Sequence, residues 1–138
     1  VPRAVLDTNV LVAALITPDG ASARLLVALR AGAFESVVSP QLLDELRDVL
    51  AQPKFRRYVS REEAATYVRL IERSSIVLAD PPPDGSGRYP ADPDDRFLVD
   101  LARSALVDAI VSGDAQALAL RPTVPVMSPR EFLEYLGA

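Results

Sequence analysis

Histidine and cysteine are absent from this chain of 138 residues, and a single lysine, Lys54, stands among 15 basic residues. Without thiols or imidazoles the chain has no disulfide, no zinc site of the usual ligand types, no thiol nucleophile, no Ser-His-Asp hydrolysis and no imidazole general base. What remains is mostly carboxylate chemistry. The chain also lacks an apolar run long enough to span a bilayer, and its amino end shows neither a basic leader nor a continuous apolar h-region, so a cytoplasmic protein with no membrane association is expected. Positive charge is scarce as well: the net charge is −4 and the pI about 4.8. That excludes a broad electrostatic footprint for duplex DNA, so any nucleic-acid contact should be local. Arginine supplies all the basic residues but one, and its fork suits bidentate phosphate contacts.

With 49% hydrophobic against 25% charged residues, the composition is that of one domain with a real core, expected to extend over 1–138. Strand-like and helical patterns alternate. Strands are predicted at about 3–7, 34–38, 75–79, 108–112 and 124–127. Helices are predicted at 8–16, 20–31, 40–51, 60–73 and 95–106, with a short one from Asp114 and a last one from Ser128-Pro129. Ser39-Pro40 is a sound cap and first-turn pair, and Ser60 with Glu63 matches a capping box. Such alternation predicts an α/β fold with a mostly parallel sheet. Between Ala79 and Asp94, five prolines fall in sixteen residues, which excludes helix and strand and leaves a loop: either a flap beside a site or a surface insertion.

Four acids stand where a strand hands over to a helix or at a helix edge: Asp7 in VLDTNVLVAAL, Glu45 in SPQLLDELRDVL, Asp95 in ADPDDRFLVDLA and Asp114 in AIVSGDAQAL. In an open parallel sheet, ligands bind beyond the carboxyl ends of the strands, so these positions are expected to converge. Converged carboxylates repel one another, and a hard divalent cation, Mg²⁺ or Mn²⁺, relieves that repulsion. Taken singly, Asp7 is better explained as a helix N-cap, Asp114 also reads as one, and Glu45 is by default an exposed helix-surface residue. Asn9 is placed to orient Asp7. Helical phase puts Glu45 at the border of an apolar face formed by Leu42, Leu43, Leu46, Val49 and Leu50, with Asp44 and Asp48 nearly opposite. The same argument on 95–106 puts Asp95 at the edge and Asp100 on the solvent side. Asp92 is a weaker site candidate, and Asp94 is expected to be structural.

These blocks, in this order and over nearly the whole chain, resemble a PIN-domain ribonuclease of the group described as toxins of toxin–antitoxin pairs. The resemblance implies a three-layer α/β/α sandwich around a parallel sheet, Mg²⁺ or Mn²⁺ dependence, and cleavage of single-stranded or structured RNA. By position, Asp7, Glu45, Asp95 and Asp114 fall on the family's metal-binding acids, and Thr8, Asn9 and Ser112 on the polar residues that support them. Many relatives carry a further acid two residues after the fourth aspartate. Here that residue is Gln116, so one firmly bound ion is expected, with a second recruited by substrate phosphate. The implied reaction is in-line attack of a metal-activated water on phosphorus. Arg96 and Arg88 are the expected phosphate contacts, and an antitoxin and a homodimer are the expected partners.

Two other readings compete. Aspartyl-phosphate enzymes also place acids at strand ends, but they bring a phosphate-contacting lysine after a late strand, and Lys54 is in the wrong place. A binding module would keep the acids and act through a protein partner docked on the apolar stripes of the 8–16 and 60–73 helices. Those stripes are better explained as core.

Overall fold

The computed structural model describes residues 1–81, 96–113 and 125–137, Arg96 by its backbone alone. Five short strands form one sheet: β1 (Arg3–Leu6), β2 (Glu35–Val38), β3 (Ser75–Val77), β4 (Ala109–Val111) and β5 (Val126–Met127), in the order β3-β2-β1-β4-β5. Every pairing is parallel. Parallel strands covered on both faces are apolar throughout rather than alternating, and Ala4, Val5, Leu6, Val37, Val38, Ala109, Ile110 and Val111 are all buried.

Six helices flank the sheet among the described residues: α1 (Thr8–Ile16), α2 (Ala21–Arg30), α3 (Pro40–Leu50), α4 (Arg61–Arg73), α5 (Arg96–Ala105) and α6 (Pro129–Tyr135). None of them is long and apolar enough to cross a membrane on its own. Contacts link α1 to α2 and α3, α3 to α4, and α2 to α6, whereas α5 packs on β1 and β4. The chain winds from β1 outward to β3 and then returns across the sheet to β4. With right-handed crossovers that reversal puts α5 on the other face, giving the three layers expected. A 3-10 turn at Pro53–Arg57, which the sequence pattern does not reveal, joins α3 to α4. The apolar stripes of α1 and α4 are core: Val10, Leu11, Tyr67, Val68 and Ile71 are buried, and the Tyr67 hydroxyl donates to the Leu11 carbonyl at 2.6 Å. Burial pushes the Tyr67 phenol above its ordinary pKa.

Local chemistry sets the ends of the helices. Ser39, Ser60 and Ser128 each cap with the hydroxyl accepting a backbone N–H three residues on, from Leu42, Glu63 and Glu131. Helix α2 ends at Gly32, whose φ of +82° is left-handed and favours glycine. The Ser60–Glu63 box is reciprocal, with Ser60 N–H donating to the Glu63 carboxylate at 2.8 Å. That backbone bond, then the Ser60 side chain, holds Glu63 below the ordinary glutamate pKa of 4.5. A depressed carboxyl pKa stabilises the fold above the unfolded value, and the contribution is lost as pH falls through the folded value. Ser60→Ala is therefore expected to cost ~0.5–2 kcal/mol in urea unfolding at pH 7, and Glu63→Gln to differ from wild type at pH 7 but not at pH 3. A Glu63→Gln difference that persists at pH 3 contradicts the carboxylate's role.

Candidate active site

The strand order changes direction between β1 and β4, so the carboxyl ends of these two neighbours bound the crevice where such sheets receive ligands. Asp7 follows β1 and Ser112 follows β4 directly. The Asp7 N–H donates to the Val111 carbonyl at 2.9 Å, which fixes the two strand ends side by side.

Asp7 occupies the N-cap position of α1, with extended φ and ψ of −61° and 153°, yet its side chain makes no cap hydrogen bond. The carboxylate is bound by the neighbouring strand end instead. Ser112 Oγ donates to Asp7 Oδ2 at 2.8 Å, and Asn9 Nδ2 donates to the same oxygen at 3.2 Å. Asn9 is in turn held by the opposite side of the crevice, its Nδ2 3.4 Å from Ser112 Oγ and its Oδ1 accepting from the Gly113 N–H at 3.3 Å. Asp7 is only 7% exposed and Ser112 fully buried. Burying a carboxylate costs several kcal/mol unless it is well bonded, and here the shorter of the two bonds comes from a residue 105 positions away and the other from two positions on.

The second acid arrives through Thr8. Its hydroxyl, buried at the first turn of α1, donates to Glu45 Oε2 at 2.7 Å. Glu45 is half-buried on α3 while Asp44 and Asp48 face solvent, as helical phase predicts, and Asp44 pairs with Arg47 at 2.9 Å. Thr8 thus ties the Glu45 carboxylate to the residue next to Asp7. The structure brings together Asp7, Thr8, Asn9, Glu45 and Ser112. Asp92, Asp95 and Asp114, with Arg88, Gln116 and most of the proline-rich loop, lie outside the described residues, as does the Arg96 side chain. Among the described residues no group of three or more acids gathers as a cation site.

Asp100 is a correction. The helical-phase argument places it on the solvent side of α5, but it is 6% exposed. The argument assumes one wet face, whereas Leu98, Val99, Leu101, Ala102 and Ala105 are buried around most of the helix circumference. A carboxylate at that depth needs a partner, and Asp100 is not without one. Gly113 acts through its backbone: its φ is not left-handed, and among the described residues an added Cβ would meet only Asn9 Oδ1 at 3.9 Å, so what the site uses there is its N–H. A hollow of about 300 Å³ beside Asn9 and Gly113 is also bordered by Ser22 and Pro129. Neither residue carries a sequence signal that distinguishes it from ordinary helix-start chemistry.

Comparison with known proteins places this arrangement. The family model for the PIN domain matches residues 3–116. The chain belongs to the PIN-domain family. An uncharacterised protein of Methanocaldococcus jannaschii, MJ1680, is 26% identical over 96% of this chain and 90% of its own length. Among solved structures, VapBC2 from Rickettsia felis, bound to a DNA fragment from its promoter, superposes with a TM-score of 0.65 at 13% identity, covering 91% of this PIN domain and 98% of that chain. VapBC-1 from nontypeable Haemophilus influenzae gives 0.61 at 14% identity, covering 93% and 98%. FitAB bound to a DNA fragment gives 0.60 at 16%, covering 91% and 94%. At these identities the likeness is one of fold.

Proposed function

We propose that this PIN domain is a divalent-metal-dependent endoribonuclease and the toxin of a toxin–antitoxin pair. The observation that carries the reading is the Asp7 side chain. Aspartate is among the best N-cap residues, and three serines of this chain cap in the ordinary way, but Asp7 leaves its helix uncapped and turns to Ser112 and Asn9. A buried acid kept from its local structural use, beside a second acid held by Thr8, is what a cation-binding crevice requires.

The donors fit the ion. Asp7 and Glu45 offer hard carboxylate oxygens and the chain has no nitrogen or sulfur ligand of the zinc type, so Mg²⁺ or Mn²⁺ suits the set. Asp95 and Asp114 complete it in this reading, with Asp92 adjacent. When bound, such an ion activates water and neutralises charge on phosphate. The protein's own part is positioning: Ser112 and Asn9 fix the Asp7 carboxylate, Thr8 fixes Glu45, and Arg88 and Arg96 bring the RNA backbone close to an otherwise acidic surface. A cognate antitoxin and a second copy of the chain are the partners of this reading; likeness to the VapBC and FitAB folds supports the first of them.

The test is cleavage of an RNA pool with Mn²⁺ and with chelator, joined to calorimetric titration of Mn²⁺ into wild type and Ser112→Ala. Cleavage is expected only with metal, and Ser112→Ala is expected to lower Mn²⁺ affinity ~10–100-fold, the usual effect of losing a group that orients a ligand. Cleavage that survives chelation, or equal Mn²⁺ affinity in both proteins, contradicts the proposal.

A further inference from the structure

A second concavity lies on the other side of α3 from the acids. Arg47 is two residues beyond Glu45, roughly 200° round the helix. From there a groove of about 630 Å³ runs between α3 and α4. Its floor is apolar: Leu50, Ala64 and Val68, all buried. Its rim is cationic, with Arg56, Arg61 and Arg69 joining Arg47, and neither an acid nor an aromatic residue lines it.

Four of the fifteen basic residues of a net-acidic chain converge there, and three of them are in no ion pair among the described residues. The ion pairs among the described residues are Arg3–Glu35, Arg47–Asp44 and Arg47–Glu72. Arg47 is thus engaged, whereas Arg56, Arg61 and Arg69 form no ion pair among the described residues. Arg69 donates to Thr66 Oγ1 at 3.2 Å and the Arg56 guanidinium to the Leu50 carbonyl. Arg56 Nε is buried without any hydrogen-bond acceptor. A buried donor left unsatisfied is destabilising.

We propose that this groove docks a partner protein segment that is both acidic and amphipathic: a helix with one apolar stripe flanked by Asp or Glu. The groove side of α4 follows the spacing Arg61, Ala64, Val68, Arg69, a helical face of about 12 Å, which matches two to three turns of an occupant laid along it. The apolar floor takes the stripe and these three arginines take the flanking carboxylates, bidentately where geometry allows. A single-stranded nucleic acid fits less well, because its bases stack on aromatic faces and this groove has none. The overall charge of the chain favours a basic partner, but this groove selects the opposite sign. The inference does not depend on nuclease activity.

The probe is a labelled helical peptide of eighteen residues with Leu at i, i+3, i+4 and i+7 and Glu on both flanks, followed by fluorescence anisotropy. Full-length wild type is expected to bind it, with an affinity that falls as salt rises. Arg61→Glu with Arg69→Glu, both at exposed positions, is expected to weaken binding at least tenfold while thermal melting stays unchanged. A peptide with the same stripe and Lys flanks should fail to bind. Equal binding by wild type and the double variant, equal binding of the Lys-flanked peptide, or no binding at all overturns the proposal. So does loss of RNA affinity in the double variant, which reassigns the arginines to phosphate. A concentration-dependent dimer that disappears in the double variant reassigns the groove to a contact between copies.

Discussion

Asp7→Asn is expected to remove Mn²⁺-dependent RNA cleavage altogether, by more than the ~10–100-fold that loss of a supporting group causes. The substitution keeps shape and hydrogen-bonding size while deleting the charge that a cation needs. It should leave the fold intact, since the Asp7 side chain caps nothing and Asn at an N-cap serves about as well as Asp. Glu45→Gln is expected to behave alike, because Thr8 can still donate to the amide oxygen while the charge is gone. Asp44→Asn and Asp48→Asn are the controls, both solvent-facing on the same helix, and should keep most activity. Asp100 is not a control, because it is buried. Initial rates on one RNA substrate decide the matter: Asp7→Asn retaining a tenth or more of wild-type cleavage sinks the assignment.

Phe132→Ala should be the most damaging single change to stability among the described aromatic residues. Phe132 is fully buried, meets Phe34 edge-on with ring centroids 5.1 Å apart, and stacks on Tyr135 at 5.8 Å. It fastens α6 beneath α2, β4 and β5. Truncating a buried Phe costs ~3–5 kcal/mol in transfer and cavity terms, a large share of the ~5–15 kcal/mol of an ordinary domain. A fall in Tm of roughly 10–20 °C is expected, with Phe132→Leu falling less. A melt within about 2 °C of wild type would show that α6 is not part of the cooperative unit.

The residues whose positions follow from local rules were legible in the sequence. Short apolar runs and period-3.6 patterns locate the strands and helices, although β3 and β4 prove shorter than expected, at Ser75–Val77 and Ala109–Val111. Glu45 was distinguishable from Asp44 and Asp48 because α3 has one wet face. Asp100 was misplaced because α5 does not, and what covers a helix is tertiary information. The turn at Pro53–Arg57 is too short to carry a period. Asp7 was recognisable as a strand-end acid, but whether it capped α1 or faced Ser112 was undecidable without the pairing of β1 with β4. The arginine groove was hidden for the same reason, since Arg47 and Arg56 meet Arg61 and Arg69 only once α3 and α4 pack.

That pairing of β1 with β4 also sets a timetable. During synthesis the first three strands emerge in order, and β2 and β3 add to one side of β1 only. Until residues 109–112 have left the ribosome, the other side of β1 is a bare edge and Asp7 lacks the hydroxyl that holds it. At ~5–20 residues per second, several seconds separate the making of Asp7 from the arrival of Ser112. A nascent or truncated chain that stops short of β4 carries Asp7 and Glu45 without the crevice that holds Asp7 in place.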